Sequence, residues 1–226
     1  MLELWIEGSP DEVIEVANSG LAAAIATNPS IMERWTASGR TMEYLVAYVC
    51  ERVNVPVFVQ LHGPSVESYL SEMAALRQIS DKIQPKLVAT HTGIAAAKQI
   101  AAQGLKPLIT TIATLNQAFL AASVGAAYVA PYVGRIEDAG VDVYQLIRDI
   151  TNLYQRHGIS TQIAAASIRT PQQAEAVLRA GAPIAVMQYS VYQQILDSAL
   201  TQNWIERFEA NWKQIRSEKA GPSNGH

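Results

Sequence analysis

Eight short apolar runs recur along the chain, most of them followed by a longer stretch of helical pattern, and this alternation limits the fold more than any other feature. The runs are Leu2 to Ile6, Ala22 to Ala26, Val57 to Leu61, Lys86 to Thr90, Leu108 to Ile112, Tyr128 to Tyr132, Gln162 to Ala166 and Ile184 to Met187. The clearest helical stretches are Val66 to Ile79, Gly93 to Gln103, Asn116 to Ser123, Val141 to His157, Pro171 to Ala180 and Tyr192 to Leu200. Near-continuous apolar runs mark strands buried on both faces, and a helix after each supplies the crossover that parallel strands need. Eight such units in 226 residues predict an α/β protein, a closed (β/α)8 TIM barrel rather than an open sheet.

Local punctuation agrees with this reading. Gly20, Gly104, Gly125 and Gly181 stand where a helix ends on a left-handed residue. Ser9-Pro10-Asp11-Glu12 reads as an N-cap, a proline in the first turn and acidic residues near the positive helix end. After the eighth unit, Gln202 to Arg216 forms an additional C-terminal helix whose stripe of Trp204, Ile205, Phe208, Trp212 and Ile215 needs cover. That cover is either the bottom of its own barrel or a neighbouring subunit. Residues 1–217 are expected to form one barrel domain with this helix, and residues 218–226 a disordered polar tail.

The net charge of −3 offers no basic stripe for nucleic acid or anionic lipid, and no apolar run approaches the length of a membrane span. The single cysteine, Cys50, cannot form an internal disulfide, and the acidic start lacks the plan of a signal peptide, so a cytoplasmic location is expected. The histidines and Cys50 lack metal-ligand spacing, and there is no glycine-rich nucleotide loop, so neither a metal nor a cofactor is implied.

Barrel chemistry is built where strands end, so the polar residues there carry the functional question. They are Glu7, Thr27, Asn28, Gln60, His62, Thr90, Thr110, Tyr132, Arg135, Ser167 and Arg169. Lys86 stands apart because it begins its run, just after Pro85. Two readings of it are open: a strand-start lysine reaching out to water, or an amine held in hydrocarbon and able to attack a ketone. Period-two alternation puts Lys86, Val88 and Thr90 on one face without saying which.

Four segments then carry a resemblance. They are Ala26 to Ser30 (ATNPS), Lys86 to Ile100 (KLVATHTGIAAAKQI), Ala126 to Gly140 (AAYVAPYVGRIEDAG) and Ala164 to Ala174 (AAASIRTPQQA). Through them the chain resembles the small transaldolase family, specifically its fructose-6-phosphate aldolase branch, over residues 1 to 215. The resemblance implies a Schiff-base aldolase with catalytic Lys86, Tyr132, Gln60, Thr110 and Glu7. Lys86 would form the imine, and Tyr132 would move the proton through a water held by Gln60 and Thr110. Asn28 and Ser167 would bind donor hydroxyls, and Arg135 with Ser167 and Arg169 the acceptor phosphate. The implied reaction is reversible cleavage of a ketose phosphate to dihydroxyacetone and glyceraldehyde 3-phosphate, and the implied assembly is a homo-oligomer, a decamer.

True transaldolases of the family carry a glutamate where this chain has Gln60, and the short ones commonly have phenylalanine where it has Tyr132. An amide cannot ionise, which favours aldol cleavage over transfer. Three positions depart from the family pattern: Glu7 for aspartate, Ala26 for threonine and Val88 for proline. Two alternatives therefore stand beside the aldolase: a transaldolase passing a dihydroxyacetone unit between sugar phosphates, and a non-catalytic phosphate-binding barrel.

Overall fold

The computed structural model describes residues 1–219. Eight parallel strands close into a barrel in chain order. They are β1 (Glu3–Glu7), β2 (Ala22–Ala26), β3 (Val57–Gln60), β4 (Ile83–Val88), β5 (Leu108–Ile112), β6 (Tyr128–Pro131), β7 (Gln162–Ile168) and β8 (Ile184–Gln188). The helices are α1 (Pro10–Asn18), α2 (Pro29–Thr36), α3 (Met42–Arg52), α4 (Val66–Ile79), α5 (His91–Ala101), α6 (Leu115–Ser123), α7 (Val133–Asp138), α8 (Val143–His157), α9 (Pro171–Arg179), α10 (Tyr189–Leu196) and α11 (Ala199–Lys219). The expected (β/α)8 barrel with an extra C-terminal helix is therefore present.

Two apolar layers hold it. The outer one lies between strands and helices and includes Ile6, Ile25, Val57, Leu87, Ile109, Val129 and Ile163. The inner one fills the lumen and alternates with the first along each strand: Trp5, Ala24, Ala26, Phe58, Leu108, Ala130, Ala164, Ala166, Ile184 and Val186. Size is distributed unevenly in this lumen. Trp5 stacks on Phe58 with ring centroids 4.5 Å apart, and Tyr128 meets both rings edge-on at 4.8 and 5.6 Å. The aromatic trio fills one part of the barrel, while the alanines of β2, β6 and β7 leave room for longer polar side chains elsewhere.

Two expectations need correction here. Lys86 does not begin its strand; β4 starts at Ile83 and passes through Pro85. Pairing with β5 begins only at Lys86–Leu108, so Pro85 lies ahead of the first rung on that side, where a missing N–H costs little. Thr90 is likewise not a strand residue: it caps α5, its hydroxyl accepting from Gly93 N at 3.1 Å. A side chain at Gly93 would place Cβ 2.2 Å from the Val88 carbonyl, so this tight turn admits only glycine.

The C-terminal helix does not cap its own barrel: Trp204, Ile205, Phe208, Trp212 and Ile215 are all exposed. It continues through Lys219, so residues 218 and 219, expected in the tail, extend the helix. The rest of the expected tail, residues 220–226, lies outside the described residues. No helix among the described residues is long and apolar enough to cross a membrane.

Candidate active site

Lys86 lies inside the barrel. It pairs in register with Gln60 on β3 and with Leu108 on β5, and Leu108 belongs to the luminal layer. Register neighbours on parallel strands project to the same side, so Lys86 points inward, and it is only 1% exposed. Its Nζ donates to the Thr27 carbonyl at 2.8 Å, reaching past β3 to the end of β2. No carboxylate is ion-paired with it among the described residues. Of the two readings left open by the sequence, the solvent-reaching strand-start lysine is excluded by this placement.

Glu7 ends β1 two residues after luminal Trp5 and is 5% exposed. Burial pushes its pKa up from the ordinary 4.5, opposed by the positive charge of Lys86, then of Arg34, by a hydrogen bond from Asn28 and by Arg135. Because burial wins, the folded state holds this proton more tightly than the unfolded chain does. Glu7 therefore stabilises the fold below the unfolded carboxylate value, and that contribution is lost as pH rises through the elevated folded one. Against Glu7→Gln, the wild type is expected to lose melting temperature progressively as pH increases from about 4.5. A wild type that gained on the variant over the same rise would contradict the assignment.

Asn28 is set by helix capping. Its Oδ1 accepts from Ile31 N at 3.0 Å, with Pro29 at the first helical position. Thr110 pairs with Val88 and shares the luminal face of β5 with Leu108. Its residue is fully buried, and its Oγ1 has no hydrogen-bonding partner among the described residues. A buried hydroxyl without a partner costs about 1–3 kcal/mol, which an isosteric apolar side chain would not incur. Thr110→Val is thus expected to hold or raise stability, by up to about 1–3 kcal/mol, while lowering turnover. Denaturant unfolding alongside steady-state rates would check this, and a large destabilisation would count against it.

Immediately after Thr110 the backbone is strained. Thr111 has φ 60°, where the β5–β6 register shifts, and Ser167 has φ 59° at the matching shift between β7 and β8. Neither is glycine, and a β-branched residue in this region is rare. The Thr111 hydroxyl holds its bend by donating to Thr110 O at 2.6 Å and accepting from Ala89 N at 3.1 Å. The β7 bulge breaks the alternation after luminal Ala166, so that Ser167 lines the mouth as well.

Around that mouth is a cavity of about 210 Å³. The site residues expected from sequence that line it are Glu7, Asn28, Tyr132, Arg135, Ser167 and Arg169. Gln60, Lys86 and Thr110 belong instead to β3, β4 and β5, on the opposite arc of the ring. Tyr132 follows β6 and bridges to Ala166 of β7, with the Arg135 guanidinium 5.2 Å from its ring centre. Arg169 lines the cavity and is ion-paired with Asp138 at 2.8 Å. Its guanidinium packs so closely on α7 that a Cβ at Gly134 would fall 2.6 Å from Arg169 Nε. His62, in the β3–α4 loop, is paired with Glu72 at 2.8 Å.

Lys86 is thus buried in the lumen, and Glu7, Asn28 and Tyr132 line the cavity at the barrel mouth. The sequence profile described as transaldolase/fructose-6-phosphate aldolase matches residues 7–221. The chain belongs to this family. Relatives described as probable transaldolases share 35% identity in Symbiobacterium thermophilum, over 95% of this chain and 99% of that protein. The one in Heliobacterium modesticaldum shares 34% over 92% and 95%, and that in Moorella thermoacetica 34% over 96% and 100%. Within this transaldolase/aldolase frame, four lining residues were missed by sequence reasoning: Ser30, Ile31, Arg34 and Gln188. A signal for Arg34 existed. Once Asn28-Pro29 fixes the start of α2, positions 30, 31 and 34 fall on one helix face, and all three line the cavity. A larger recess of about 760 Å³ adjoins, sharing Arg34 and Gln188, but it contains none of the lysine's neighbours.

Proposed function

We propose that this family member is a metal-free class I aldolase acting through a Lys86 imine on a ketose phosphate such as fructose 6-phosphate. The observation that carries the reading is the inward, fully buried Lys86, whose Nζ meets a neutral carbonyl and no paired carboxylate. The free amine adds to the C2 ketone, and the carbinolamine loses water to give the iminium. The C3–C4 bond then breaks as a proton leaves the C4 hydroxyl, releasing glyceraldehyde 3-phosphate and leaving an enamine. Protonation at C3 and addition of water return dihydroxyacetone and the amine.

Each stage needs a proton moved beside the imine. Tyr132 is assigned that work, through a water bridged to Gln60 and the unpartnered Thr110 hydroxyl. Asn28 and Ser167 take donor hydroxyls, and Glu7, close enough to feel the charge of Lys86, is assigned to the same proton network. Ala26 and Val88 enlarge or line the lumen with hydrocarbon where the family pattern has threonine and proline.

Transaldolase activity is the second reading, and the relatives' description favours it. Fructose 6-phosphate alone separates the two. An aldolase yields glyceraldehyde 3-phosphate and equimolar free dihydroxyacetone; a transaldolase is near silent until erythrose 4-phosphate is added. Acceptor-dependent turnover without free dihydroxyacetone would overturn the aldolase assignment.

The reading extends to a cytoplasmic homo-oligomer. The exposed Trp204, Phe208 and Trp212 on α11 form an apolar surface of the kind subunit contacts bury. Sedimentation is expected to find a decamer, and a monomer at micromolar concentration would contradict it.

A further inference from the structure

β5 carries one residue more than β6 over the same span: Ile109 pairs with Val129, but Ile112 pairs with Pro131. The extra residue is Thr111, held at φ 60°. Leu108 faces the lumen with Thr110 beyond it, and two-residue alternation would aim Ile112 there as well. Ile112 belongs instead to the outer apolar layer and is fully buried in it. Thr110 is therefore the last luminal residue of β5, and the bulge keeps an isoleucine out of the barrel mouth. A left-handed β-branched residue persists only where its surroundings over-determine it. Here its own side chain supplies the restraint. The Thr111 hydroxyl donates to Thr110 O at 2.6 Å and accepts from Ala89 N at 3.1 Å, and the same Ala89 N also donates to Thr110 O at 3.1 Å. Ala89 directly follows β4, the strand of Lys86, so one hydroxyl ties the end of that strand to the end of the next. Thr111 also lines a recess of about 320 Å³ together with Tyr132, which sets the bulge beside the phenol.

We propose that Thr111 is a positioning residue: its hydroxyl locks the β5 bulge so that the Thr110 hydroxyl stays open in the lumen and Ile112 stays out of the mouth. The proposal rests on the aldolase reading for the work of Thr110, which is to hold the water through which the phenol passes a proton. β5 stands between the strand of Lys86 and the strand that leads to Tyr132, so its last luminal hydroxyl lies between amine and phenol. That hydroxyl is buried and has no partner among the described residues, as a group reserved for a water requires. Freed from the bulge, Thr110 would turn to a backbone carbonyl, satisfying its hydroxyl and withdrawing it from the relay.

The test uses the full-length protein with Thr111→Gly, Thr111→Ser, Thr110→Val and the Thr110→Val/Thr111→Gly double variant. Glycine takes the left-handed backbone without strain and lacks the hydroxyl, so Thr111→Gly should fold. With fructose 6-phosphate, its kcat is expected to fall about 10- to 100-fold while KM changes less than about threefold, the mark of a misplaced group rather than lost binding. Thr111→Ser keeps the hydroxyl and should recover most of that loss. In the Thr110→Val background, Thr111→Gly should cost little more, because it acts through Thr110. Urea unfolding without substrate gives a readout independent of catalysis. There Thr110→Val is expected to gain more in midpoint when Thr111 is present than in Thr111→Gly, where the freed hydroxyl finds a partner of its own. A wild-type kcat in Thr111→Gly, an equal loss of kcat in both backgrounds, or the same midpoint gain with and without the Thr111 hydroxyl would overturn the proposal. Should the wild type form no imine at all, the aldolase reading fails while the unfolding arm still judges Thr111.

Discussion

Lys86→Met is expected to abolish imine formation and to lower turnover by roughly 10⁴- to 10⁶-fold, the range typical for removing a covalent nucleophile. Methionine is the informative replacement because it nearly conserves volume in a lumen already filled on one side by Trp5, Phe58 and Tyr128. What it removes is the amine and its hydrogen bond to the Thr27 carbonyl. That carbonyl loses a partner, at a cost of about 1–3 kcal/mol, and the burial of a polar amine is relieved in exchange. The variant should therefore remain folded, with a circular dichroism spectrum like the wild type. Residual turnover above about one percent would mean that another group carries the chemistry.

Tyr132→Phe has the second-largest expected effect, a fall in kcat of roughly 10²- to 10⁴-fold, the usual contribution of a placed general acid–base group. The ring packs against the luminal layer and beneath the Arg135 guanidinium, contacts that phenylalanine keeps. Stability should change little, so the loss can be ascribed to the hydroxyl. Since Gln60 has no ionisable group and the Thr110 hydroxyl is a poor acid, neither can replace the phenol. Unchanged kcat would remove Tyr132 from the mechanism and direct attention to Glu7, whose elevated pKa leaves it able to exchange protons nearer neutrality.

Much of the fold was legible because apolar runs and turn glycines obey local rules. Gly20, Gly104, Gly125 and Gly181 all adopt positive φ, as their places after helices implied. Thr90 was misplaced, since the strand appeared to continue where a cap begins. The start of β4 was obscured by Pro85, which ordinarily argues against a strand interior; only the offset of β5 explains why it is tolerated. The six-residue α7, with Gly134 inside it, is too short for periodicity to register.

The site divides in a similar way. Lys86, Asn28 and Tyr132 were singled out by their motifs as candidates, and alternation placed the lysine on one face without deciding between lumen and exterior. Three features needed tertiary information. The bulge that turns Ser167 into the mouth is a break in alternation. The capture of Arg169 depends on Asp138, 31 residues away. Arg34 shares the cavity lining with Glu7 of β1 and Gln188 of β8, residues far from it in sequence.

Borohydride trapping tests the central claim most directly. The protein is incubated with dihydroxyacetone, reduced, and weighed intact and after proteolysis. The account predicts one reduced three-carbon unit per chain, mapped to Lys86 and missing from Lys86→Met. An unmodified mass, or an adduct carried by any other lysine, would contradict it.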